Sequence, residues 1–97
     1  MKAVFISFDQ AHREAVIAAL SSTMMRGFTM WEQTHGRGSE NGEPHYGSHA
    51  WPGENSSILS VCDDNKVPLI MERLRKIDKD SPNLGLRAFV LPVEDAL

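Results

Sequence analysis

Histidine side chains that could bind a metal ion are concentrated in one polar stretch of the chain, residues 34–57. This stretch contains His35, His45 and His49, which are three of the four histidines, and it contains no Val, Ile, Leu, Met or Phe. Neutral imidazoles are common ligands for Zn, Cu and Ni, and Cys62 adds a sulfur atom nearby. These four residues therefore form a candidate site for a divalent transition metal.

The spacing of the histidines does not define a metal geometry by itself. Three residues separate His45 from His49, but no helix is predicted there, and no C-x-x-C or H-E-x-x-H motif supports a metal site. Histidine is also common in polar loops that bind no metal. Metal binding or metal sensing is therefore the alternative function, and not the leading one.

The same stretch carries groups suited to contacts with an effector or a target protein. Arg37, Gly38, Tyr46 and Trp51 lie within it, and large aromatic residues and arginine are enriched where proteins bind each other. Trp51 could instead pack back on the sheet and hold the loop in place. Loops longer than about 12–15 residues are usually functional or disordered. We expect residues 35–57 to form a long, flexible loop that binds its partner through these four residues.

No catalytic arrangement emerges from the remaining polar residues. Ser21, Ser22 and Thr23 lack the context of a nucleophile elbow, and His12 is predicted on the polar side of the first helix. The adjacent Asp63 and Asp64 fall at a predicted helix start, where carboxylates usually cap the helix and offset its dipole. We predict that the protein is not an enzyme.

Length and composition are those of one globular domain spanning residues 1–97, with 41% hydrophobic residues and a net charge of −3. The chain has no concentrated basic patch, so no nucleic-acid partner is expected. It has one cysteine, which suits a reducing compartment. It also lacks a signal-peptide core and any apolar run near the roughly 18–20 residues of a membrane span. We therefore expect a cytoplasmic protein without direct membrane insertion.

Hydrophobic periodicity predicts the elements that position these residues. Strands are predicted at 2–8, 27–34, 57–62 and 85–92, from their β-branched and aromatic content. Trp31, on the second strand, is predicted in the core or at a subunit interface. The first helix is capped by Asp9 and the second by Asp63 or Asp64. Their predicted core-facing residues are Val16, Ile17, Leu20 and Met24 in the first helix, and Val67, Ile70, Met71, Leu74 and Ile77 in the second.

The order βαββαβ is that of a ferredoxin-like α+β fold. Its antiparallel sheet carries both helices on one face, and its second and third strands form a hairpin whose tip is the long loop. The other face of the sheet keeps apolar side chains without a covering helix. An exposed apolar face of this kind usually marks an interface.

Four local sequences point to one protein family. Residues 1–8 read MKAVFISF, residues 25–29 MRGFT, residues 35–38 HGRG, and residues 89–96 FVLPVEDA. Together they resemble the first strand, the second-strand entry, the loop and the ending of the nitrogen regulatory P-II signalling family. The resemblance spans the full length, and the ending is its most specific part.

The resemblance implies a compact homotrimer with regulatory function. Members of this family bind small effectors, usually adenine nucleotides with 2-oxoglutarate, in clefts between subunits. Their long hairpin loop, the T-loop, contacts a target protein such as a membrane transporter or an enzyme. Arg37, Gly38, Tyr46 and Trp51 would lie in that loop. The leading interpretation is therefore a P-II-like trimeric regulator that docks on its target through residues 35–57.

Two departures concern phosphate binding. Where the family has a glycine-rich phosphate loop, residues 77–85 hold a single glycine together with Asp78 and Asp80. The family's basic tail is also missing from this sequence. Because polyphosphates need amide-lined concavities and cationic partners, these departures argue against ATP binding in the family's manner. The arginine that flanks the modified tyrosine of some members is absent beside Tyr46, so that modification is not expected.

Overall fold

The computed structural model describes residues 1–25, 27–35 and 54–97 of the protein. The elements are β1 (Lys2–Asp9), α1 (Arg13–Ser22), β2 (Thr29–Thr34), β3 (Asn55–Cys62), α2 (Val67–Asp80) and β4 (Arg87–Pro92). Single 3-10 turns precede α1, α2 and β4, at Gln10–His12, Asp64–Lys66 and Pro82–Leu84. Neighbouring strands pair antiparallel in the order β2-β3-β1-β4, and the predicted ferredoxin-like α+β fold is confirmed.

Strand β1 lies at the centre of the sheet, as its apolar residues predicted. It pairs with β3 along its whole length, from Lys2 opposite Cys62 to Asp9 opposite Asn55, and with β4 on its other side. Alternate residues of β1 point toward the helices, and three of them, Val4, Ile6 and Phe8, are completely buried. A strand that is buried on the helix side and paired on both edges fixes the positions of its neighbours.

Helix α2 follows the predicted apolar stripe. Ile70 and Leu74 are buried, and Val67, Met71 and Ile77 pack partly buried against the same core. Pro68 stands in the first turn, where its missing N–H costs no helical hydrogen bond.

Helix α1 ends earlier than predicted, so the placement of Met24 in the core was wrong. The helix stops at Ser22, and the Thr23 hydroxyl donates to the Ala19 carbonyl at 2.8 Å. Met24 adopts a left-handed backbone with φ 63 and is exposed. The next residue, Met25, is buried in its place, because the turn changes the direction in which side chains leave the chain.

The prediction that His12 lies on the polar side of α1 was also wrong. Asp9 accepts a hydrogen bond from the Ala11 amide at 2.8 Å and so caps a separate 3-10 turn that ends at His12. This turn precedes α1 and has a different period, which rotates His12 into the interior. His12 is consequently 5% exposed.

The loop predicted at residues 35–57 overlaps the start of β3, which begins at Asn55. The Asn55 amide donates to the Ser7 hydroxyl at 2.7 Å, and the Ser56 hydroxyl donates to the Glu32 carbonyl at 2.6 Å. These polar residues are buried in the strand because hydrogen bonds satisfy them there.

Within the part of the chain that the structure describes, no helix has the length and apolar character needed to cross a membrane. The predicted cytoplasmic location stays a prediction.

Two neighbouring residues of α2 provide a test of this packing. Ile70 is fully buried, whereas Leu69 is 51% exposed. We expect Ile70→Ala to lower the free energy of unfolding by about 2–5 kcal/mol, because it removes buried methyl groups and leaves a cavity. Leu69→Ala should change it by about 0.5 kcal/mol or less. Denaturant titrations at one protein concentration measure both, and equal costs would contradict the assignment of the core face.

Candidate functional site

A groove lies beside the carboxyl end of β3, and we call it the methionine groove. It encloses a cavity of about 310 Å³. Three of the chain's five methionines contribute to its walls. The described residues that line it are Met1, Met24, Met25, Gly27, Val61, Cys62, Asp63 and Lys66.

One wall of the groove is a strand edge. The β2–β3 ladder begins at Thr29 opposite Leu59, so it does not extend to Val61 and Cys62. The Ser60 hydroxyl donates to the Gly27 carbonyl at 2.7 Å and holds the chain that leads into β2. Beyond that point, no described residue of the β2 segment pairs with β3, and an unpaired strand edge can exchange backbone hydrogen bonds with a ligand.

Gly27 lines the groove with its main chain alone, because it has no side chain. A Cβ atom built on Gly27 would meet no other atom within 4 Å. A flat ligand could therefore lie directly against the main chain at this position.

Hydrogen bonds fix the turn that follows α1, which contains Met24 and Met25. The Met24 amide donates to the Ser21 carbonyl at 3.1 Å, and the Met25 amide donates to the Leu20 carbonyl at 2.9 Å. The Lys66 ammonium donates to the Met24 carbonyl at 2.9 Å. These bonds hold Met24 at the groove surface and Met25 in its floor. Thioethers make favourable contacts with aromatic rings, so this wall suits a heteroaromatic ligand.

The Cys62 side chain lines the groove as an uncharged thiol. Burial raises the pKa of the Cys62 thiol, and the opposing influence of Lys66 is smaller. The thiol therefore stays protonated near neutral pH. It contributes a small apolar surface to the groove and not a reactive thiolate.

The predicted capping of α2 by Asp63 or Asp64 was wrong. The Asp63 side chain makes no capping hydrogen bond, and Asp64 accepts one at 2.7 Å from the Met1 ammonium instead. This contact lowers the pKa of Asp64 and holds Met1 at the rim of the groove.

The predicted metal ligands are not brought together within the described residues. His35 follows β2 at the end where Thr34 pairs with Asn55, whereas Cys62 lies seven residues farther along β3. At about 3.3 Å per residue, roughly 23 Å separate these two ends. In residues 1–25, 27–35 and 54–97, no group of three or more His, Cys, Asp or Glu side chains could hold a metal ion.

The other predicted site residues cannot be placed relative to the groove. His45 and His49, together with Arg37, Gly38, Tyr46 and Trp51, fall between residues 36 and 53, outside the described residues. Their roles stay predictions.

Sequence patterns missed most of the methionine groove. Met24 and Met25 were interpreted as core filling, because their spacing suggests no ligand set. The M-R-G-F-T sequence was the available signal, since it places Gly27 between a helix end and a strand. The position of Lys66 in the groove depends on its hydrogen bond to the Met24 carbonyl, and a contact between residues so far apart in sequence leaves no local pattern.

A second feature is the apolar face of the sheet opposite the helices, which we call the open face. Phe5 pairs with both Leu59 and Phe89, so apolar side chains lie side by side across three strands. Trp31 is 45% exposed on this face, so it does not lie in the core. The open face consists of Phe5, Trp31, Leu59, Val61, Phe89 and Leu91.

The comparison with protein families identifies the chain. Residues 1–97 match the family described as nitrogen regulatory protein P-II. The chain belongs to the P-II family. No curated protein sequence matches it closely enough to count as a relative. The resemblance inferred from the four local sequences is confirmed, and P-II membership makes this a regulatory protein.

Solved structures share the P-II fold with this chain. CPII from Thiomonas intermedia K12, a PII-like protein bound to ADP, AMP and bicarbonate, has a TM-score of 0.75 and 19% identity over 92% of this chain and 81% of its own. CPII bound to ADP, AMP and acetate has a TM-score of 0.78 and 17% identity, and the match covers 99% of this chain and 88% of CPII. A PII-like signaling protein from Thermus thermophilus has a TM-score of 0.65 and 20% identity over 92% and 82%.

These structures overturn the expectation about cofactors. The sequence argued against ATP binding and offered a divalent transition metal only as an alternative, whereas CPII, with the same fold, holds ADP and AMP. The error came from equating phosphate recognition with nucleotide recognition. A strand edge and an apolar surface can bind the base of a nucleotide without a glycine-rich loop.

The contact between Asp64 and the Met1 ammonium predicts a pH dependence of stability. The pKa of Asp64 is lowered in the folded protein, so its stabilisation is complete above the unfolded value of about 3.9 and is lost as pH falls through the folded pKa. We expect Asp64→Asn to lower Tm by at most a few degrees near neutral pH, because the pair is exposed. The two proteins should converge in acid, once the pH is below the folded pKa of Asp64. Glu94→Gln is the control, and a Tm difference for Asp64→Asn that is independent of pH would contradict this assignment.

Proposed function

We propose that this P-II protein is a trimeric regulator that binds an adenine nucleotide in the methionine groove and docks on a target protein through the loop between β2 and β3. The observation that carries the proposal is the groove at the carboxyl end of β3, where no described residue of the β2 segment pairs with Val61 or Cys62 and where Gly27 leaves space for a ligand. In the loop, Arg37, Gly38, Tyr46 and Trp51 are the proposed contacts with the target.

The groove is chemically matched to adenine. The Watson–Crick edge of adenine presents one N–H donor beside one nitrogen acceptor, and a strand edge presents the complementary C=O and N–H groups. Met24 and Val61 supply apolar surface for the ring faces. CPII, which shares the fold, binds ADP and AMP, and this supports the assignment to an adenine nucleotide.

The open face supports assembly into a trimer. Phe89 and Leu91 are 56% and 49% exposed, although both are large and apolar. Three copies that packed these faces inward would remove them from water, as in other P-II proteins. The methionine groove lies at the β2 side of the sheet, so a neighbouring subunit would complete the cleft around the nucleotide.

Strand β2 provides a route from the groove to the loop. Gly27 precedes it at the groove, and His35 follows it at the loop. Hydroxyl groups of β3 bind the carbonyls of Gly27 and Glu32, so the β2 segment is attached to β3 at both ends. A ligand that shifts Gly27 would therefore shift the start of the loop as well.

Nucleotide binding is tested by filling the groove from Gly27. Gly27→Leu should weaken ADP binding at least tenfold in calorimetric titration, because the added side chain occupies space in which a Cβ meets no atom. The fold should be kept for the same reason. Ala18→Leu introduces the same side chain at an exposed position on α1 and should leave affinity unchanged. Equal ADP affinity in the wild type and Gly27→Leu would refute the site.

Assembly is tested on the open face. We expect the wild type to be a trimer by light scattering at micromolar concentration and Phe89→Glu to be a monomer, since burying an unpaired carboxylate is costly. Leu69→Glu is the matched control, because Leu69 is similarly exposed but lies on the helix side. A monomeric wild type, or a trimeric Phe89→Glu protein, would contradict the proposed interface.

A further inference from the structure

A separate pocket lies between α2 and β4, and we call it the α2–β4 pocket. Its cavity measures about 230 Å³. It shares no residue with the methionine groove. Its lining combines an apolar floor with three charged groups, and consists of Met71, Leu74, Arg75, Asp78, Leu86, Arg87 and Ala88.

Asp78 is the unexplained residue of this pocket. Its Oδ1 atom is buried and accepts no hydrogen bond from the described residues. Asp78 also lies in the last turn of α2, which ends at Asp80. A carboxylate there faces the negative end of the helix dipole, and a buried acceptor without a donor is unfavourable. A cationic group bound beside this carboxylate would offset its charge at the helix end.

Two arginines supply the opposite charge. Arg75 and Arg87 line the pocket, and one Arg87 nitrogen donates to the Leu86 carbonyl at 2.7 Å. A guanidinium has five N–H donors, so Arg87 keeps others for a ligand. Guanidinium groups bind carboxylates in a bidentate manner.

This combination favours a ligand that carries both charges. Two guanidinium groups would repel a metal cation, and a simple anion would leave Asp78 without a counter-charge. A molecule that carries both an ammonium and a carboxylate satisfies all three side chains. The apolar floor, with Leu74 and Leu86 only 3% and 4% exposed, is suited to an attached hydrocarbon group.

We propose that the α2–β4 pocket binds a small zwitterion, an α-amino acid with an apolar side chain. The ammonium donates to Asp78, the carboxylate accepts from Arg75 and Arg87, and the side chain packs on the apolar floor. The site does not depend on nucleotide binding, so it adds a second input to the protein. Loss of one site should leave the other intact.

The test begins with a thermal-shift panel of L-leucine, L-isoleucine, L-valine and L-methionine on the full chain, followed by calorimetric titration of those that raise Tm. We expect at least one to bind with a millimolar or lower Kd. Asp78→Asn should weaken it at least tenfold while ADP affinity is retained. Glu72→Gln removes a carboxylate from the same helix but outside this pocket, and it should bind as the wild type does.

Two analogues test recognition of both charges. N-acetyl-L-leucine lacks the ammonium and L-leucinamide lacks the carboxylate, and each should bind at least tenfold more weakly than L-leucine. The proposal is overturned if no amino acid of the panel binds below about 10 mM, if Asp78→Asn binds normally, or if either analogue binds as well as L-leucine.

A measurement without ligand separates binding from a structural role. Since Asp78→Asn removes a charge that no described residue pairs at Oδ1, the unliganded variant should be at least as stable as the wild type. A clear decrease in Tm would show that Asp78 supports the fold, and it would refute the assignment of Asp78 to a ligand.

Discussion

The structure depends on the pairing of β1 with two neighbours at once. Val4, Ile6 and Phe8 bury their side chains under the helices, while the backbone of the same strand forms ladders with β3 and β4. Because both edges are used, the strand that ends at the methionine groove and the strand that begins at the α2–β4 pocket are positioned by one element. Burial of these side chains stabilises the fold, and the two ladders fix the positions of β3 at the methionine groove and of β4 at the α2–β4 pocket.

Regular patterns in the sequence were enough to predict the architecture. The stripe on α2 and the apolar run of β1 each follow one period, and the structure confirms both. Errors arose where the period changes over one or two residues. The 3-10 turn after Asp9 rotated His12 inward, and the left-handed Met24 exchanged places with Met25. The serines at the beginning of β3 are typical of a loop in sequence, because the sequence alone does not show that their hydroxyl groups have hydrogen-bond partners.

The candidate sites were less predictable for a related reason. The methionine groove exists because β2 stops pairing before β3 ends, and the α2–β4 pocket exists because a helix crosses an edge strand. Neither condition has a local sequence signature. Gly27 and the P-II ending could be recognised, whereas Lys66 and Asp78 acquire their importance only from the tertiary contacts that surround them. Membership of the P-II family could therefore be inferred from the sequence, whereas the groove and the pocket could not.

The serines of β3 also have a consequence for how the hairpin tolerates change. Ser56 and Ser60 reach across to backbone carbonyls of the β2 segment, near its two ends. A slip by one residue would turn these hydroxyls to the opposite face of the sheet and leave buried polar groups without partners. The alignment of the two strands is therefore specified by the strands themselves and not by the connection between them. Insertions or deletions between residues 36 and 53 can therefore accumulate without changing the register of the strands or displacing Gly27.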